Sequence, residues 1–249
     1  MAYDYKESKK RVDEILYSKT EIVTKDVIPS SDSEFTYSNG IKSWVGAIFV
    51  DMVGSSDLCN TADEKTARIF RSFCSEIIAI MKEDLNYRQI GIRGDCVYSI
   101  NTAHYRSDLV DMFDTAVLIN TFMGMFRKQL ENKGYAPVKA GIGLGCSEDL
   151  IIKAGQSGSG INDKIWIGKA VVEASKLGDK ANRNGIQPIA MSTLFYDNVH
   201  ENLEKRDERY KTWIEPHSDM IYSIYNTRPD FYHCDLVKTG FSDWINNNV

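Results

Sequence analysis

The chain has 249 residues, 43% of them apolar and 26% charged, which suits one soluble globular domain with ample material for a core. A net charge of −5 without a basic run speaks against nucleic-acid or anionic-membrane partners. No apolar run approaches the ~18 residues needed to cross a bilayer, and no signal peptide is visible. The five scattered cysteines (Cys59, Cys74, Cys96, Cys146, Cys234) form no CxxC pair, so reduced thiols in a cytoplasmic protein are expected.

In chain order, residues 1–40 read as a polar extension, with helical periodicity over 6–16 and a Ser/Asp-rich loop over 29–39. An apolar strand over 43–51 (Trp44, Val45, Ala47, Ile48, Phe49, Val50) delivers Asp51 into the turn Met52-Val53-Gly54-Ser55-Ser56. A helix over about 61–84 follows, with Ala67, Phe70, Phe73, Cys74, Ile77, Ile78 and Met81 as its apolar stripe. Residues 88–101 form a hairpin turning at Gly94-Asp95. A second helix spans about 107–133, and strands are expected over 136–145 and 149–155. The glycine-rich segment 156–161 has no strand-to-helix setting and reads as a plain turn rather than a phosphate cradle. A strand over 164–167, a helix over 168–181, a strand over 187–191 and a helix capped by Ser192 and running to about 199 complete a domain over 41–200. Residues 201–249 read as an appendage on the same domain: a charged run over 201–211, strands over 211–214 and 220–225, and an aromatic tail with Tyr232, Phe241 and Trp244. The β-α-β-β-α-β order predicts an α+β sandwich, antiparallel-rich, with helices on one sheet face.

An apolar strand has no packing reason to end in an acid. Asp51 beside a short glycine turn, and Asp95 in a hairpin that can bring it opposite, offer oxygen ligands for two divalent ions and backbone donors for phosphate. The same residues also suit an ordinary turn in which Asp51 is a cap and Gly54 relieves a positive φ. Alternation puts Gly91, Arg93 and Asp95 on one strand face, so Arg93 points toward the site, and puts Phe49 on the face of Asp51.

The series Phe49-Val-Asp51-Met52-Val-Gly54-Ser55, a long helix and then Gly94-Asp95 in a hairpin resembles the class III nucleotidyl cyclases. The resemblance continues through the Gly-Ile-rich strand 138–145 and the segment 165–177, which is similar to the family's dimerisation helix. It implies a ferredoxin-like palm over 41–200 and two ions (Mn²⁺ or Mg²⁺) held by Asp51, Asp95 and the Met52 carbonyl. It further implies a nucleoside triphosphate whose β- and γ-phosphates rest on the N–H groups of Val53, Gly54, Ser55 and Ser56. Sites of this family lie at a two-fold interface, which implies a homodimer with Lys176 acting on the partner's substrate. The departures matter. The adenine-reading lysine of adenylate cyclases falls at Gly91 and their second base reader at Ile165. The ribose-orienting asparagine falls at Val172 and the transition-state arginine at Lys176. Two metal acids without purine readers resemble the stand-alone pyrimidine cyclases of bacterial anti-phage (Pycsar) systems, which make cyclic UMP or cyclic CMP for a separate effector protein. Phe49 and Ile165 would then fill the space of a purine's second ring, with Arg93 donating to the base. A divergent adenylate or guanylate cyclase, or a degenerate domain that only senses nucleotide or dimerises, stands beside this reading; a diguanylate cyclase does not, because its Gly-Gly-acid-Glu-Phe hairpin is missing.

Overall fold

A computed structural model describes residues 3–218 and 228–249. At its centre is β2 (Asn39–Val53), apolar on both sides and therefore buried on both. It pairs antiparallel with β4 (Cys96–Thr102) on one side and β5 (Lys139–Gly155) on the other. The hairpin partner β3 (Tyr87–Arg93) lies outside β4. Beyond β5 the sheet continues through β7 (Ile189–Ser192), β9 (Phe231–Cys234) and β8 (Glu215–His217), with β1 (Glu21–Thr24) and β6 (Asn162–Ile167) attached to the ends of β2 and β5. The β1–β2 and β5–β7 pairs are parallel and the others antiparallel.

Ile48, Val50 and Met52 point from β2 into a layer formed by α3 (Glu64–Asp84), α4 (Arg106–Asn132) and α6 (Thr193–Arg206). Asp63 starts α3 by accepting the Thr66 N–H at 2.8 Å, and Ile69, Phe73, Ile77 and Met81, four residues apart, seal it to the sheet. α4 has the length and mean hydropathy of a membrane span, but its apolar side is consumed by this core. The α+β class is as expected. The layering is not wholly one-sided, however, because α5 (Lys169–Lys180) crosses the opposite face, on Val45, Ala47 and Phe49.

That crossing explains a glycine stripe. A Cβ on Gly141, Gly143 or Gly145 would meet a backbone oxygen of Gly178, Ala174 or Ala170 at 2.2, 2.0 and 2.4 Å. Only glycines let a helix backbone rest directly on the strand. Ser147 then caps the other end of α5, its Oγ accepting the N–H groups of Lys169 and Ala170 at 3.0 and 2.7 Å while donating to buried Asp149. This service to α5 is why the polar stretch between the two expected strands does not interrupt β5.

Other boundaries shift for local reasons. The turn after β2 winds into a short helix, α2 (Ser55–Cys59), before α3. α6 runs on through the charged segment because Leu203 is still buried under its solvated side. Residues 211–214 are not a strand: Arg209 N–H and side chain both bind Asp207, and the helical turn α7 (Tyr210–Trp213) follows. The expected strand over 220–225 lies outside the described residues. The C-terminal segment pairs into the sheet through β9 and closes over α4 with α8 (Thr239–Asn248), which buries Ile245. At the other end α1 (Tyr5–Tyr17) buries none of its residues.

Candidate active site

The site is built on the face of the sheet that α5 crosses. Asp51 lies opposite Cys96 on β4 and Gly141 on β5, so both neighbouring strands contribute to its surroundings. The hairpin turns at left-handed Gly94, next to half-buried Asp95, whose charge is felt at Asp51. Burial raises the Asp51 carboxyl above its ordinary value; a hydrogen bond from Arg183 opposes this, and the charges of Asp95 and Asp179 add to it. Gly54, at φ 77°, turns the chain into α2 with open space where a side chain would stand. The register sets Asp51 opposite Cys96, one residue after Asp95, so the end of β2 adjoins the hairpin turn. Hard oxygens carrying excess negative charge form a donor set suited to Mg²⁺ or Mn²⁺.

The cation beside Asp51 is Arg183, which no sequence pattern marks. Arg183 donates from Nη2 to Asp51 Oδ2 at 2.6 Å and lies 3.5 Å from the Met52 carbonyl, while its Nη1 donates to the carbonyls of Gly178 and Ala181 at 3.2 and 3.1 Å. It sits in a non-periodic turn between Asn182 and Asn184, both at positive φ, and no pattern in the sequence links it to Asp51.

Phe49 is on the Asp51 face, as alternation requires, but only 7% exposed, stacked on Tyr98 with ring centroids 5.2 Å apart. Tyr98 explains Gly91. The two are cross-strand partners, and a Cβ at Gly91 would fall 2.5–2.8 Å from the Tyr98 ring and hydroxyl. The space above Gly91 is thus filled by a tyrosine from the neighbouring strand. Gln89 donates to the Tyr98 hydroxyl at 3.1 Å and accepts from the Trp166 indole at 2.9 Å, which ties β3, β4 and β6 into one polar-edged wall. Arg93 is exposed on the same face.

Ile165 and Lys176 are not brought to the aspartates within the chain. Ile165 alternates with Trp166 on β6 and is therefore half exposed on the other face of the β5–β6 ribbon. Lys176 lies on the outer side of α5, lining a cavity of about 390 Å³ with Glu173, Thr193 and Asp197. Ile165 and Ile167 on β6 and Val172 on α5 are each exposed.

No family model matches the chain. The curated uridylate cyclase of Treponema porcinum is 39% identical over 100% of this chain and 83% of its own length. The uridylate cyclase of Gulbenkiania mobilis is 28% identical over 99% of this chain and 97% of its own length. Among solved structures, the adenylyl cyclase CyaB from P. aeruginosa superposes with a TM-score of 0.60 at 19% identity, covering 78% of this chain and 95% of that one.

Proposed function

The chain belongs to the uridylate cyclases, within the class III nucleotidyl cyclases, and from that membership we propose that it converts UTP into 3′,5′-cyclic UMP and pyrophosphate at the Asp51–Asp95 end of the sheet. Pyrimidine nucleotide cyclisation is the activity of the family; uridine over cytidine is favoured by the relatives' names. The observation that carries the site is the β2–β4 register, which sets Asp51 beside the Gly94-Asp95 turn and next to left-handed Gly54.

Asp51, Asp95 and the Met52 carbonyl are the groups that would hold divalent ions. Two such ions, Mn²⁺ or Mg²⁺, when bound would acidify the ribose 3′-hydroxyl and neutralise the triphosphate. The chain's own work is positioning. The N–H groups of Val53, Gly54, Ser55 and Ser56, where β2 turns into α2, would cradle the β- and γ-phosphates. Arg93, exposed on the site face, would donate to the base. Phe49 and Tyr98 occupy the wall where a purine's second ring would be read, so a one-ring base is admitted and a two-ring base meets the tyrosine. Ile165 would close that slot from a second copy, and Lys176 would approach the phosphates from the same copy. The exposure of Ile165 and Ile167 on β6 and of Val172 on α5 is what supports a homodimer with composite sites. The cyclic nucleotide would then serve as a second messenger read by a separate effector in anti-phage defence.

The test is incubation of the purified protein with each of the four nucleoside triphosphates and Mn²⁺, with products read by mass spectrometry. Cyclic UMP as the dominant product is expected; cyclic AMP or cyclic GMP as the dominant product, or no product, would overturn the reading.

A further inference from the structure

Arg183 stands where the site's first cation is needed. We infer that the Arg183 guanidinium is a resident counter-ion that competes with a divalent ion for the Asp51 carboxylate and the Met52 carbonyl, so that the ion enters only by displacing it.

A Mg²⁺ or Mn²⁺ ion bound by both oxygens would sit about 2.0–2.2 Å from each. Nη2 already lies 2.6 Å from Asp51 Oδ2 and 3.5 Å from the Met52 oxygen, on the side that faces both. An ion and a guanidinium cannot share that position: their centres would approach to within a hydrogen-bond length with like charge. The seat for the guanidinium is built rather than incidental. Gly141 leaves the room it fills, since a Cβ there would lie 3.0 Å from Nη1, and the carbonyls of Gly178 and Ala181 at the end of α5 hold Nη1. Those two carbonyls are at the electronegative end of the helix, where a cation is favoured. Three fixed partners on one planar fork are a geometry that only arginine satisfies. The charges of Asp95 and Asp179 also bear on Asp51, which favours a cation beside it. Arg183 supplies it from the chain. Displacement would release its hold on Gly178 and Ala181, so loading the site loosens the end of the helix that carries Lys176.

This inference rests on the assignment of Asp51 as a metal ligand, and the experiment separates the two. Mn²⁺ binding to the purified full-length chain without nucleotide is followed by electron paramagnetic resonance for the wild type, Arg183→Gln, Arg183→Lys and Asp51→Asn. The expected result is Mn²⁺ binding that Asp51→Asn removes and Arg183→Gln tightens on the order of tenfold, or about 1.4 kcal/mol. Arg183→Lys, which reaches one partner but cannot span three, should fall between. The thermal shift on adding saturating Mn²⁺ should be larger for Arg183→Gln than for the wild type, because a tighter ligand stabilises more. Should Arg183→Gln not fold, Arg183→Lys carries the comparison alone. Unchanged or weaker Mn²⁺ binding in both Arg183 variants, with Asp51→Asn still abolishing it, would overturn the competition and leave Arg183 a structural tie. Mn²⁺ binding that Asp51→Asn does not reduce, or none in any variant, would overturn the metal assignment and this inference with it.

Discussion

At the scale of single residues the site is a problem of charge and volume. Asp51→Asn or Asp95→Asn should abolish cyclisation while leaving the thermal melt near that of the wild type, because each removes a negative charge from a cluster already crowded with them. Near-wild-type turnover in either variant would remove that residue from the site. Phe49 and Tyr98 present the volume side. Truncating Phe49 to Ala should cost about 3–5 kcal/mol of stability, since the ring is buried. It should also raise the ratio of ATP to UTP turnover by roughly 10–200-fold as Tyr98 loses its backing. A folded Phe49→Leu variant whose nucleotide preference equals the wild type's would show that the ring is core and nothing more. The strand end that carries Asp51, the Gly94-Asp95 turn and the face of Phe49 were legible in the sequence from strand alternation and the Gly-Asp hairpin. Arg183 was not: it is 132 residues from Asp51 and lies in a turn without periodicity, so only folding reveals its partner. Gly91 was legible as a missing lysine, but its reason, the Tyr98 ring, depends on a cross-strand register that no local pattern encodes.

At the scale of elements, Asp114 on α4 acts as a clamp. It accepts from Arg206 at the end of α6 at 2.6 Å and from Lys238 ahead of α8 at 2.8 Å, joining three segments far apart in sequence. Burial alone would raise its carboxyl, but the hydrogen bonds and charges of Lys238 and Arg206 outweigh that and hold it below the ordinary value. A depressed carboxylate stabilises the fold above the unfolded value, near 4, and loses that contribution as pH falls through the depressed one. The melting temperature of the wild type should therefore fall more steeply than that of Asp114→Asn below about pH 4. At neutral pH the variant should be less stable by about 1 kcal/mol, the partners being partly solvated; parallel acid profiles would count against the clamp. The helices α3 and α4 were readable from their apolar stripes. What the sequence hid was the join between the two expected strands of β5, where Ser147 stays in the strand and caps α5.

For the whole molecule, the positions of Ile165 and Lys176 decide how many chains make a site. Neither reaches Asp51 within one chain, and both lie on surfaces that a second copy can meet. Mixing Asp51→Asn chains with Lys176→Ala chains should restore part of the activity, because each heterodimer retains one composite site free of both changes. Mixtures no more active than the separate variants would argue for sites made within single chains. The fold class was legible from element order; the membership of the C-terminal segment in the main sheet was not, since β9 is a four-residue strand whose pairing with β7 is entirely non-local.

The double grip of β5 on α5, Ser147 at its start and Gly141 beneath its end, also sets where the gene can gain or lose codons. One extra residue between them would turn Ser147 to the wrong face and shift the glycine stripe from under the helix at once. The turn over 156–161 bears no such double obligation: it is exposed, and its backbone hydrogen bonds among the described residues stay within its own ribbon. A glycine inserted after Gly158 should leave the melt and the cyclase rate intact, whereas one inserted after Gly145 should cost the fold. Length variation among natural relatives should accordingly gather at the tip of the ribbon and be missing from the strand that carries α5.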